Sequence, residues 1–133
     1  MTRVSWEDLE WGEDGLLWHN GQWFTGTAVE LHPNGALLDE SAYEQGRRHG
    51  VGREYYPTGE LKSEEMCQHG AAHGVCREWS VDGRLTEETH HAGGILLKRL
   101  EPDENGELQV TFLMTPNHAY FKMLPPEIQS QFS

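Results

Sequence analysis

The amino-acid sequence predicts an all-β fold: a single domain built as an array of 24-residue β-hairpins, forming an elongated, twisted antiparallel meander with a capped N-terminus and a short C-terminal tail. Three observations predict it. First, glycines recur on a fixed beat. Gly26, Gly50 and Gly74 form one series; Gly35, Gly59 and Gly83 form another, followed by Gly106; Gly46 and Gly70 form a third that reaches Gly93 and Gly94. Such self-similarity marks a repeat architecture, in which each unit packs on its neighbours. Second, "PNGA", "PTGE" and "VDGR" are turn tetrads with glycine where the backbone needs a positive φ. Third, the flanks, such as "VGREYY" and "ELKSEEM", are strand-length and too short between glycines for helices.

In chain order, residues 1–19 read as a cap. "SWEDLEW" suits a short turn or helix with Ser5 as N-cap and Asp8 at the third helical position. "LLWHNGQWFTG" then makes a first hairpin. Four of the five tryptophans (Trp6, Trp11, Trp18 and Trp23) fall in this region, where they close the end of the array rather than form a partner patch. Residues 20–115 carry the hairpin repeats. Leu37, Leu61, Leu85 and Leu108 each follow their turn glycine by two positions, and Leu61 is an expected rung of a core made by stacking neighbours. Glu30, Glu54 and Glu78 make one column, Glu40, Glu64 and Glu88 a second, and Leu31, Tyr55 and Trp79 a third. Short turns force antiparallel pairing, since parallel strands need a long crossover.

Two registers remain open. A two-residue loop sets Val29 opposite Glu40, Arg53 opposite Glu64 and Arg77 opposite Glu88, the last two as cross-strand ion pairs. A three-residue loop sets Tyr55 beside Leu61 and Trp79 beside Leu85, and gathers apolar side chains on one face. In the tail, 116–133, Pro116 ends the last strand "LQVTFLM", and "YFKML" with "PPEIQSQF" folds back as a flap or one helical turn begun by Pro126, covering the last edge.

The stretch "GRRHGVGREYYPTGELKSEEMCQHGAAHG" resembles the MORN-type repeat, and more closely its bacterial variant in antitoxin-like repeat proteins of the YwqK type. The resemblance runs from about Gly15 to Met114. The tyrosine–glycine–glycine element of the pattern stands in full as Tyr43, Gly46 and Gly50; Cys67 and His91 replace the tyrosine in the next two units. The resemblance implies a β-ribbon and a binding role, and no chemistry.

Twenty-two acidic residues against ten Lys and Arg leave a net charge of −12, which repels nucleic acid and anionic lipid and favours a basic partner. No apolar stretch reaches membrane-helix length and no signal peptide is evident, so a cytoplasmic location is expected, with no membrane insertion. Two cysteines make no disulfide framework. Cys67, His69, His73 and Cys76 are ligand types for zinc, yet His73 repeats His49 on the beat where no cysteine stands, and no metal or cofactor is expected. Chemistry needs one distinguished site, whereas the glutamate columns recur, and no nucleotide- or hydrolase-type motif occurs. The expected role is non-catalytic binding of a protein, which the resemblance implies is a cognate toxin; the acidic columns suit a basic one such as a nuclease. Glu54, Glu64, Glu78 and Glu88 are the expected steering charges, and Tyr55, Tyr56 and Trp79 the expected anchors. The alternative is a scaffold module with lipid or protein partners, which calls for a basic face.

Overall fold

A computed structural model describes residues 2–132. The alternation of apolar and polar residues between turn glycines folds as antiparallel hairpins that follow one another across a single sheet. β1 (Arg3–Ser5) leads into a single 3-10 turn, Trp6–Asp8, whose N-cap is Ser5: its Oγ accepts from the Glu7 N–H. β2 (Glu10–Trp11), β3 (Leu17–His19) and β4 (Gln22–Trp23) make a small three-stranded sheet. The hairpins of the main sheet are β5 (Gly26–Leu31) with β6 (Leu37–Glu44), β7 (Arg47–Tyr55) with β8 (Leu61–Gln68), β10 (Gly74–Trp79) with β11 (Leu85–Ala92), and β12 (Ile95–Pro102) with β13 (Leu108–Leu113). The short β9 (Ala71–Ala72) pairs with β8. Strand order follows chain order, except that β1 lies parallel against the outer side of β5. That parallel pair departs from the purely antiparallel meander. It is possible because the small sheet carries the chain across between β1 and β5, supplying the crossover that a parallel pair needs.

The hydrogen bonds keep the beat of the sequence. At the hairpin tips, the N–H groups of His32, Tyr56, Ser80 and Asp103 donate to the carbonyls of Ala36, Glu60, Arg84 and Glu107. Within these tips Gly59 donates to the Tyr56 carbonyl with φ +96°, a three-residue loop closed by a left-handed glycine. Between hairpins the two-residue turns Gln45-Gly46, His69-Gly70 and Gly93-Gly94 have both residues at positive φ, the twist-matching turn type. The glycine N–H of each donates to the carbonyl of Phe24, Arg48 or Ala72 respectively, hooking every turn onto the one before. The other N–H of each turn is also held from the preceding unit: Gln45 by Thr25 Oγ1, His69 by His49 Nδ1 and Gly93 by His73 Nδ1.

Both predicted registers occur in each hairpin. Tyr55 lies opposite Leu61 and Trp79 opposite Leu85, as the three-residue loop demands; further down, Arg53 lies opposite Glu64 and Arg77 opposite Glu88. A β-bulge reconciles them, leaving Leu38, Lys62 and Thr86 opposite no residue. On the tip side, units are stapled together. His32 Nε2 contacts the Tyr55 carbonyl at 2.7 Å, and Tyr56 Oη donates to the Trp79 carbonyl at 2.7 Å. Tyr56→Phe is expected to remove about 1 kcal/mol of stability, read as a lower urea midpoint at unchanged slope.

The buried core sits at the two ends rather than along the leucine column. Leu37, Leu61 and Leu85 are half-buried and Leu108 is exposed. At the N-terminal end Val4, Leu17, Phe24, Ala28 and Tyr43 are buried together, with Trp6 and Leu9 packed on them. Trp18 and Trp23 donate their indole N–H groups to the two oxygens of Asp14, which holds that carboxyl below its ordinary value. At the other end Ala92, Leu97, Met114 and Leu124 form a second cluster, joined by Phe112, Phe121 and Ile128. The tail does turn once at Pro126, in α1 (Pro126–Gln129). It packs on the face of β11, β12 and β13, on Ala92, Leu97 and Phe112, however, and among the described residues β13 pairs with no strand but β12. Single-layer sheets bury little per residue, so the clusters form where a cap or tail supplies a second layer.

Candidate functional site: an acidic row on one sheet face

Successive residues of a strand point to opposite faces, so register sorts the acids into two sets. On one face Glu40, Arg53, Glu64, Arg77 and Glu88 follow one another across adjoining strands. Their charges are matched. Arg53 Nε lies 2.9 Å from Glu64 and Arg77 Nε 2.8 Å from Glu88. Tyr55 Oη donates to Glu40 at 2.7 Å and Arg3 lies 3.2 Å from the same carboxylate. The Tyr55 hydrogen bond and Arg3 hold Glu40 below its ordinary value; His90 and Arg77 do the same for Glu88. Burial, and then Glu40, push the Tyr55 phenol up. Of the expected steering charges, Glu64 and Glu88 therefore belong to an internally neutralised ladder.

Glu54 and Glu78 point the other way. The register places Glu30 opposite Asp39, Asp39 opposite Glu54, Glu54 opposite Ser63, Ser63 opposite Glu78 and Glu78 opposite Glu87. Five carboxylates thus form one row across six strands, with like charges directly opposite in three places, an arrangement that destabilises a sheet. Compensation is partial. Lys62 reaches Glu54 at 3.5 Å and Arg99 reaches Glu87 at 3.7 Å. Among the described residues no Lys or Arg makes an ion pair with Glu30 or Glu78. Burial pushes the Asp39 carboxyl up from its ordinary value, opposed by the Ser41 hydroxyl that donates to it at 2.7 Å.

Beside this row opens a cleft of about 410 Å³ lined by Glu54, Tyr56, Lys62, Ser63, Glu78, Trp79, Ser80 and Thr86. It gathers four of the seven nominated residues: Glu54, Tyr56, Glu78 and Trp79. Lys62 stands 5.8 Å above the Tyr56 ring. By alternation Tyr55, Glu64, Trp79 and Glu88 point to the opposite face; at the cleft the Trp79 carbonyl accepts from Tyr56 Oη. Sequence reasoning passed over Asp39 and Glu87, although Asp39, Ser63 and Glu87 share the 24-residue spacing and so were open to the same reading as the glutamate columns.

The next row on the acidic face is mixed in charge. Arg48 extends over Gly52, where a Cβ would meet its guanidinium, and lies 3.8 Å from Glu65. Cys67 is buried and its thiol is pushed up to about 11, chiefly by burial; burial raises Cys76 as well. A thiol in that range is protonated near neutrality and is a poor nucleophile or ligand. His73 Nδ1 is engaged by the Gly93 N–H and His49 Nδ1 by the His69 N–H, each closing a turn. Among the described residues no three His, Cys, Asp or Glu side chains converge as a metal site, and no helix is long and apolar enough to cross a membrane. Comparison with protein-family models, curated proteins and solved structures finds no match.

Proposed function

We propose that the chain is a non-catalytic, MORN-type binding module that takes a basic protein on its acidic sheet face, in the manner of a cytoplasmic antitoxin or immunity protein. One observation carries the reading: the row Glu30, Asp39, Glu54, Glu78 and Glu87, which places like charges opposite one another with too few counter-charges. An arrangement that weakens the free protein is explained when a cationic surface completes it. Charge complementarity of this kind accelerates encounter and rejects wrong partners. The Tyr56 ring beside the row supplies an aromatic surface that anchors such contacts. The toxin assignment within this class rests on the resemblance of the repeat. A lipid scaffold is disfavoured, since the row would meet anionic headgroups with its own sign.

The test is capture of a partner from lysate of the organism that makes the protein, at low and at high salt. One dominant, stoichiometric, basic protein is expected, lost when Glu54 and Glu78 become Gln and retained when Glu64 and Glu88 do. Toxicity of the captured protein and rescue by this chain then establish the antitoxin role. Equal binding by both double variants, or capture of lipid alone, would sink the reading.

A second prediction separates binding from folding. Asp39→Asn keeps an acceptor for Ser41 while removing a charge facing Glu30 and Glu54. The variant is expected to gain about 0.5 kcal/mol of stability at neutral pH and to bind the captured partner less tightly. The sign follows from the raised carboxyl: the wild-type penalty is present at neutral pH and is relieved as pH falls through the raised value. Urea melts at neutral and acid pH should therefore converge for the two proteins as pH falls.

A further inference from the structure

The two edges of the main sheet are built differently. At the N-terminal edge β1 is three residues long, carries Arg3 and leads at once into the 3-10 turn. A short, charged edge strand is the usual guard against pairing with another chain. At the other edge β13 runs for six residues, Leu-Gln-Val-Thr-Phe-Leu, with neither charge nor proline, in a chain of net charge −12. Leu108, Val110 and Leu113 are exposed, the latter two at 52% each. Among the described residues no strand pairs with this outer edge; the tail packs on one face of the sheet, against Ala92, Leu97 and Phe112.

We infer that β13 is a homodimer edge: two copies of this chain join their sheets by antiparallel pairing of β13 with β13 about a two-fold axis. The charges flanking the strand select a second copy as the occupant. Near the Leu108 end lie Glu101, Asp103, Glu104 and Glu107, while the Leu113 end lies opposite Lys98, with Arg99 opposite Phe112. Antiparallel self-pairing brings the acidic end of each copy to the basic end of the other. It is isologous, so each favourable contact occurs twice. Parallel stacking would instead set acid against acid. Val110, near the middle of the strand, falls close to the axis and meets apolar residues of the partner. The acidic row that binds a basic protein in the functional reading lies on the sheet face, so the pairing edge and the row are separate surfaces.

Sedimentation velocity of the chain tests this. The expected mass at high micromolar concentration is twice the 15.2 kDa of one chain. Val110→Lys is expected to weaken the dimer at least tenfold, and Gln109→Lys, on the alternate side of the strand, to weaken it as well. Lys98→Glu, which removes the charge match without touching the strand, should weaken it severalfold, and added salt should do the same to the wild type. Far-UV circular dichroism identifies any variant that fails to fold; the remaining two then decide. A chain that stays monomeric throughout the range would overturn the inference and leave the edge to a strand of some other protein. A dimer indifferent to the folded edge variants would place the contact elsewhere and overturn it equally.

Discussion

Leu17→Ala is expected to cost about 3–5 kcal/mol, and to do so at one end of the molecule only. Leu17 is fully buried among Val4, Phe24, Ala28 and Tyr43. Its N–H donates to the Gly46 carbonyl and its carbonyl accepts from the Phe24 N–H, so the surrounding backbone cannot collapse into the void. Leucine truncations at sites that relax poorly lie at the upper end of the usual range. The second cluster, around Met114 and Leu124, shares no residue with the first. In an array whose units touch only their neighbours, loss at one end propagates weakly. Hydrogen exchange on the variant should show protection falling in β1, β5 and β6 and persisting in β11 and β12. Tryptophan fluorescence, dominated by Trp6, Trp11, Trp18 and Trp23, should report an earlier urea transition than far-UV circular dichroism does. Uniform loss of protection, with coincident transitions, would show that the two ends unfold as one.

Gly46→Ala is the next largest expected effect, and Gly59→Ala is its control. Both glycines lie at positive φ, +82° and +96°. A methyl group at Gly59 enters open space, whereas at Gly46 it meets Leu16 Cβ at 2.9 Å and the Leu17 backbone at 3.1–3.2 Å. The left-handed backbone alone makes each substitution cost about 1–2 kcal/mol. At Gly46 the clash adds to this and separates the small sheet from the turn it leans on, breaking the bonds to Phe24 and Leu17. A total of about 3 kcal/mol or more is expected there, against about 1–2 kcal/mol at Gly59. Equal urea midpoints for the two variants would mean that the small sheet contributes nothing to global stability.

The hairpins were legible because their turns require glycine, and glycine in a left-handed backbone leaves a mark on the sequence at each recurrence. The bulge was not legible. Leu38, Lys62 and Thr86 are ordinary residues that no backbone rule singles out, so two registers could be drawn and neither excluded. The Ser5 cap and the turn at Pro126 were readable for the same reason as the hairpins: each is a local arrangement encoded by its own residue type. The parallel β1–β5 pair escaped notice because three residues, Arg3–Ser5, carry no period. The leucine column misled, since a repeated apolar residue marks a shared environment and not its depth.

Half of the acidic surface could be sorted in advance. Once Arg53 faces Glu64, its neighbour Glu54 must point the other way, and the same holds for Arg77 and Glu78. Asp39 and Glu87 complete the row only through strand pairing, which joins residues far apart in the chain.

The placement of both buried clusters at the ends has a consequence for how such a molecule can vary. The intervening hairpins are held by bonds that recur from one unit to the next, so a duplicated or deleted 24-residue block would meet compatible neighbours on either side. Each block contributes two strands, and adjacent strands lie about 4.8 Å apart, so gaining or losing one would move the two ends relative to each other by roughly 10 Å. The array is in this sense a ruler with fixed end-pieces, whose length can be matched to the span of what it grips without redesigning either terminus.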